Sequence, residues 1–149
     1  MNAEDTVEQV GIDLSNPEPP VANYVPAVNA GNMVYLSGKE RSQSDGTMIS
    51  GKVGSDLNIE QGYEAARLVG IQLLAALREH IGDLNRVSRV VKVLGMVNST
   101  PDFEDHPKVI NGCSDLLVSV FGENGKHARS EIGRASCRER VYISVVAVT

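Results

Sequence analysis

Two apolar stripes at helical spacing, with a β-branched run between them, constrain this chain more than anything else in it. From about Ile59 to His80, the residues Ala66, Val69, Leu73, Ala76 and Leu77 recur every three or four positions. A helix over this span therefore has one face to bury. Asn58 stands where its cap belongs and Gln61 follows three residues later, the pair needed for reciprocal capping. Gly82 supplies the stop. The second stripe is Val109, Ile110, Cys113, Leu116, Leu117, Val120 and Phe121. Asp105 is a plausible N-cap for it, and Pro107 falls in the first turn, where a missing amide costs nothing. Between the two stripes, Val87 to Val97 reads as a strand, and its Val90–Leu94 stretch suits a mostly buried, central position.

The remaining segments complete a small α+β layout. Val25–Val28 and Met33–Leu36 flank the turn signal "NAGN" and predict a β-hairpin. The polar stretch "KERSQSDGTMISGKVGSDL" predicts a surface loop. "GENGK" predicts a turn, with strands at "HARSEIG" and "VYISVVAV" after it. Residues 1–20, with Pro17, Pro19 and Pro20, read as a lead-in arm. The order is β-β-α-β-α-β-β in one domain spanning 1–149. It predicts a mixed sheet with two helices on one face. No third helix is expected, so the other face needs a cover, and oligomerisation is the simplest one.

Charge and composition exclude several classes. The net charge is −5, the wrong sign for a surface that tracks phosphates, so no nucleic-acid partner is expected. No apolar run is long enough to span a bilayer and the acidic N-terminus lacks a signal pattern, so a cytoplasmic protein with no membrane partner is expected. Two cysteines, Cys113 and Cys137, make no disulfide framework.

Chemistry-bearing candidates are few. Asp102, Glu104, Asp105 and His106 crowd into five residues, as metal ligands or as an acidic helix start that complements the dipole. The second reading is preferred, because no further ligand cluster exists. Cys113 lies on an apolar stripe, which favours a packed thiol over a nucleophile. His80 and His127 show no evident serine or cysteine partner. "GKVGSD" lacks the strand and helix around a phosphate loop. Arg129 differs: flanked by the small Ala128 and Ser130 on a strand, it offers a planar fork to a carboxylate, against the alternative of a surface ion pair.

With these residues in view, the chain resembles the RidA (YjgF) family of reactive-intermediate imine deaminases. The resemblance rests on "NYVPAV", "LSGK", "VIN" and "ARS" in that order, and runs from about Pro20 to Ser130. It implies a chorismate-mutase-like fold assembled as a homotrimer, with ligand clefts between subunits. It implies hydrolysis of 2-imino or enamino acids to 2-keto acids and ammonia, with no metal and no organic cofactor. Arg129 matches the arginine that holds the substrate carboxylate. Tyr24 matches the tyrosine lining the cleft, Gly38 the glycine whose backbone meets the substrate, and Asn111 the asparagine at the start of the second helix. The family's water-activating glutamate falls at Ser144, and serine is a poor proton acceptor near neutral pH. Hydrolysis is therefore expected to be impaired, and a trimer that binds small carboxylates without turnover is the alternative. An endoribonuclease or translation-inhibitor role, also attached to such proteins, is disfavoured by the acidic balance and the lack of an aromatic-basic platform.

The same resemblance breaks at the end of the chain. The family's leucine-proline turn is replaced by Cys137 and Arg138. Glu131 to Val141, "EIGRASCRERV", reads codon for codon as a translated sequencing-library adapter. Residues 131–149 are thus expected to be a non-native tail whose apolar "VYISVVAV" can still pair as a strand.

Overall fold

The structure is a computed structural model that describes residues 1–40, 50–133 and 141–149. Its centre is one mixed sheet backed by two long helices. The hairpin forms where the turn signal stands: β1 (Ala27–Ala30) pairs antiparallel with β2 (Met33–Leu36). A two-residue β3 (Lys39–Glu40) follows, then α2 (Ile59–Ile81), β4 (Arg89–Val97), α3 (His106–Phe121), β5 (Ala128–Gly133) and β6 (Tyr142–Val148). The sheet order is β1-β2-β6-β4-β5, with β3 also pairing with β6. Among the described strands, β4 and β5 run parallel and the other pairs antiparallel. The expected α+β class and mixed sheet are therefore present. Notably, the middle strand of the five comes from the tail segment: Tyr142–Val148 sits between β2 and β4.

The helices form for the reasons read in the sequence. Asn58 Oδ1 accepts from the Gln61 amide at 2.8 Å and Gln61 Oε1 accepts from the Asn58 amide at 2.9 Å, closing the capping box. Gly82 ends α2 at φ +86°, a left-handed turn that glycine adopts without steric cost. Leu73, Leu74 and Leu77 of α2 are almost fully buried, each contributing about 1.5–3 kcal/mol of burial. They meet Val34, Val93, Ile143 and Ala147 from the sheet's covered face. Asp105 does occupy the cap position of α3, but its carboxylate pairs with Lys108 at 3.1 Å and caps nothing. β4 starts at Arg89, not Val87, because Asp83 caps a 3-10 turn over Leu84–Arg86.

One expectation is corrected. A third helix exists: α1 (Ala3–Gln9) lies in the segment read as an arm. Asn2 caps it, Glu4 and Asp5 complement its dipole, and Ala3 and Val7 bury one edge. Glu4 fixes it against the end of α2 and the turn after it, accepting from the Leu84 amide at 2.9 Å and pairing with Arg78 at 3.3 Å. The rest of the arm is held by buried Lys39, whose Nζ donates to the Glu18 carbonyl at 2.7 Å. Yet α1 packs beside α3, on the helix side. Among the described residues no helix covers the sheet's far face, and Val28, Tyr35 and Ile132 are about half exposed on it.

Candidate functional site

Strand register decides where each candidate points. Arg129 on β5 pairs with fully buried Val93 on β4, so its side chain lies on the helix side of the sheet. There it is held from several directions. Its Nη1 donates to Asn111 Oδ1 at 2.7 Å and to Ser114 Oγ at 3.1 Å, both on α3. Nη2 donates to the Pro107 carbonyl at 3.3 Å, and Nε donates to Glu131 Oε2 at 2.9 Å. The side chain is only 20% exposed. Arg129 is thus neither a loose surface cation nor an open fork. It is a fixed guanidinium at the edge of α3, with four of its five N–H donors engaged by described residues.

Asn111 and Arg129 are brought together as the resemblance implies. Asn111 is not at the start of its helix, however, because α3 begins at His106 and Asn111 stands in its second turn. The other candidates lie elsewhere. Ser144 on β6 pairs with Leu94, as does Ser130, and so faces the open side of the sheet. Two strand spacings of roughly 4.8 Å each, and the thickness of the sheet, separate it from Arg129. Gly38 links β2 to β3 beside β6. A Cβ built there would sit 1.8 Å from the Tyr142 ring, so in this chain the close approach is made by an internal side chain. Tyr24 is exposed before β1, at the sheet edge opposite Arg129. Four of the residues thus fall into two groups within one chain, Arg129 with Asn111 on the helix side and Gly38 with Ser144 on the open face, while Tyr24 stands apart from both.

Some neighbours of Arg129 were not legible beforehand. His127 has a serine partner after all, which corrects the sequence reading. Its Nδ1 donates to the Gly125 carbonyl at 2.6 Å, so its Nε2 accepts from Ser114 Oγ at 2.9 Å when the ring is neutral. Burial pushes the His127 pKa down and the Arg129 charge pushes the same way, both favouring the neutral form, while the Gly125 hydrogen bond opposes them. Ser114 therefore links the imidazole to the guanidinium. The signal for this was the spacing from Asn111 to Ser114, which puts both on one helix face. His106 likewise bonds Ser99 Oγ at 3.0 Å and stands edge-on to Phe103. Its acidic neighbours do not converge with it: among the described residues, no three His, Cys, Asp or Glu side chains gather as metal ligands. Cys113 is fully buried and its thiol is pushed up to about 12 by that burial, so it is packing material and not a nucleophile. Cys137 and Arg138, and residues 41–49 of the polar loop, lie outside the described residues. A cleft of about 690 Å³ opens at the start of α2, beside Asn58, Glu60 and Phe103, but none of the expected site residues lines it.

Comparison with known proteins bears on what this arrangement belongs to. Residues 4–137 match the family described as "YjgF/chorismate_mutase-like, putative endoribonuclease". Protein TCP17 of Trypanosoma cruzi is 39% identical over 130 residues, covering 87% of this chain and 81% of that protein. Among solved structures, protein Atu1372 of Agrobacterium tumefaciens, described as of unknown function, is 34% identical with a TM-score of 0.85, over 98% of this chain and 92% of that one. A Shewanella oneidensis structure described as "a putative endoribonuclease" is 26% identical with a TM-score of 0.94, over the full length of both chains. Among the described residues, no helix is long and apolar enough to cross a membrane.

Proposed function

Because this chain belongs to the YjgF (RidA) family, we propose that it takes small 2-imino and 2-keto acids through Arg129 and hydrolyses the imines poorly. The observation that carries the reading is the fixed Arg129 guanidinium beside Asn111. A guanidinium held in place by a helix and a strand spares the ligand the cost of ordering it, and a carboxylate that takes the Nε–Nη2 edge exchanges with Glu131 there. The loss of rate follows from Ser144. A positioned carboxylate that activates water contributes roughly 10²- to 10⁴-fold, and a serine hydroxyl near neutral pH supplies little of that.

The reading also accounts for the open sheet face. Rows of side chains cross it, such as Val28, Tyr35 and Val146, or Tyr142, Met96 and Ile132. Three such faces packed together would bury these residues and form the homotrimer of the family. It would also give the Gly38 and Ser144 group a neighbouring subunit to face, which a single chain does not provide. The Ser144 departure favours binding without turnover as the second reading for this chain.

The test is an NMR titration with 2-oxobutyrate, beside Arg129→Ala. Saturable shifts at Asn111 and Ser114 that disappear in the variant are expected. Equal binding by the variant would discard the carboxylate role of Arg129.

A further inference from the structure

Arg129 is not alone in its site: Glu131, two residues along β5, points to the same side and holds its Nε at 2.9 Å. We propose that Glu131 is a specificity residue, which makes the site prefer zwitterionic 2-amino and 2-imino acids to 2-keto acids. The inference rests on the carboxylate role given to Arg129 above.

The argument begins with a count of donors. A guanidinium has five N–H groups. Asn111 and Ser114 take the two on Nη1, the Pro107 carbonyl takes one on Nη2, and Glu131 takes Nε. At most one N–H, on Nη2, remains. The edge still able to grip a carboxylate with two bonds is the one formed by Nε and Nη2, and Glu131 already occupies half of it.

Charge gives the direction. The Arg129–Glu131 pair is neutral as a unit, and its side chains are only 20% and 25% exposed. A 2-keto acid brings one negative charge. To be held by two bonds it must displace Glu131, which leaves a second, partly buried carboxylate without its cation. A 2-amino acid, or a protonated 2-imino acid, brings a carboxylate and a cationic nitrogen one carbon apart. Its carboxylate can take the Nε edge while its nitrogen donates to the displaced Glu131. Both protein charges then stay paired, which is worth more in a partly desolvated site than in water. Such a site would hold an iminium substrate and release the keto-acid product. Glu131 is identified here from register and distance; it opens the segment expected to be a non-native tail, so the preference is assigned to this chain and not to the family.

The experiment titrates the full-length protein with 2-aminobutyrate and 2-oxobutyrate, followed by NMR shifts at Asn111 and Ser114. It is repeated with Glu131→Gln and with Arg129→Ala. The wild type is expected to bind the amino acid about tenfold tighter than the keto acid or better, the scale of one charge-assisted bond. Glu131→Gln should reverse that order, gaining keto-acid affinity and losing amino-acid affinity. Glutamine keeps the size of the side chain, and unchanged shifts elsewhere would confirm that the fold is intact. Arg129-dependent binding with the same ligand preference in the wild type and Glu131→Gln would overturn the proposal and leave the carboxylate role standing. Binding of neither ligand by either protein would remove both.

Discussion

Gly112 sits between Asn111 and Ser114, the two α3 side chains that hold Arg129, and replacing it with alanine tests how the site is positioned. A Cβ at this position would lie 1.9 Å from the Tyr63 carbonyl oxygen of α2, 2.8 Å from its carbon and 3.0 Å from the Arg67 amide nitrogen. All three are backbone atoms, so no side chain can swing away. The helices would have to part by about 1 Å or more to restore an ordinary contact. Two effects oppose each other. Alanine is favoured over glycine inside a helix by about 1 kcal/mol. Overpacking usually costs about 1–3 kcal/mol, and a backbone-to-backbone collision belongs at or above the top of that range. The clash wins, with a net loss of about 2 kcal/mol. For a chain of this size that lowers Tm by about 6–8 °C. Calorimetry of Gly112→Ala checks the stability, and the Asn111 and Ser114 amide shifts check the site. An unchanged or raised Tm would mean that propensity dominates and that α2 and α3 do not approach this closely.

Further consequences can be measured on the same material. In a Cys137→Ser background, Cys113 should resist iodoacetamide at pH 8 until denaturant is added, because its thiol is buried and pushed up to about 12; labelling of the native protein at the rate of a free thiol would contradict this. His127, whose pKa falls below its ordinary value of 6.5 chiefly through burial, makes the unfolded chain the stronger proton binder. Its contribution to stability is therefore complete above about pH 6.5 and is lost as pH falls through the lower folded value. Urea unfolding from pH 7.5 down to 5.5 should show a decline that flattens in His127→Gln; parallel curves for the two proteins would refute the assignment.

What could be read in the sequence was whatever depends on neighbours along the chain. The capping box at Asn58 and Gln61, the glycine stop at Gly82 and the two helical stripes are local patterns, and each appears as read. α1 escaped because seven residues carry too few apolar positions to show a period, and it is fixed by distant partners, Leu84 and Arg78. The site was legible only in part for the same reason. Arg129 stood out by its small neighbours, but its partners come from another element. Pro107, Asn111 and Ser114 reach it only once α3 lies against β5. Glu131 and Ser144 both belong to the tail segment, yet register sends them to opposite faces of the sheet. A strand read alone carries alternation but does not reveal which face its partners will cover.

Imine hydrolysis by this chain beside its Ser144→Glu variant tests the central claim most directly. The imine should be generated freshly by an amino-acid oxidase, and release of 2-keto acid followed against the uncatalysed rate. The account predicts a slow wild type and a variant faster by roughly 10²-fold or more, the low end of what a positioned carboxylate contributes. A wild type already as fast as the variant would show that Ser144 is not where activity was lost. A folded variant no faster than an equally slow wild type would show that the cleft is not a deaminase site at all.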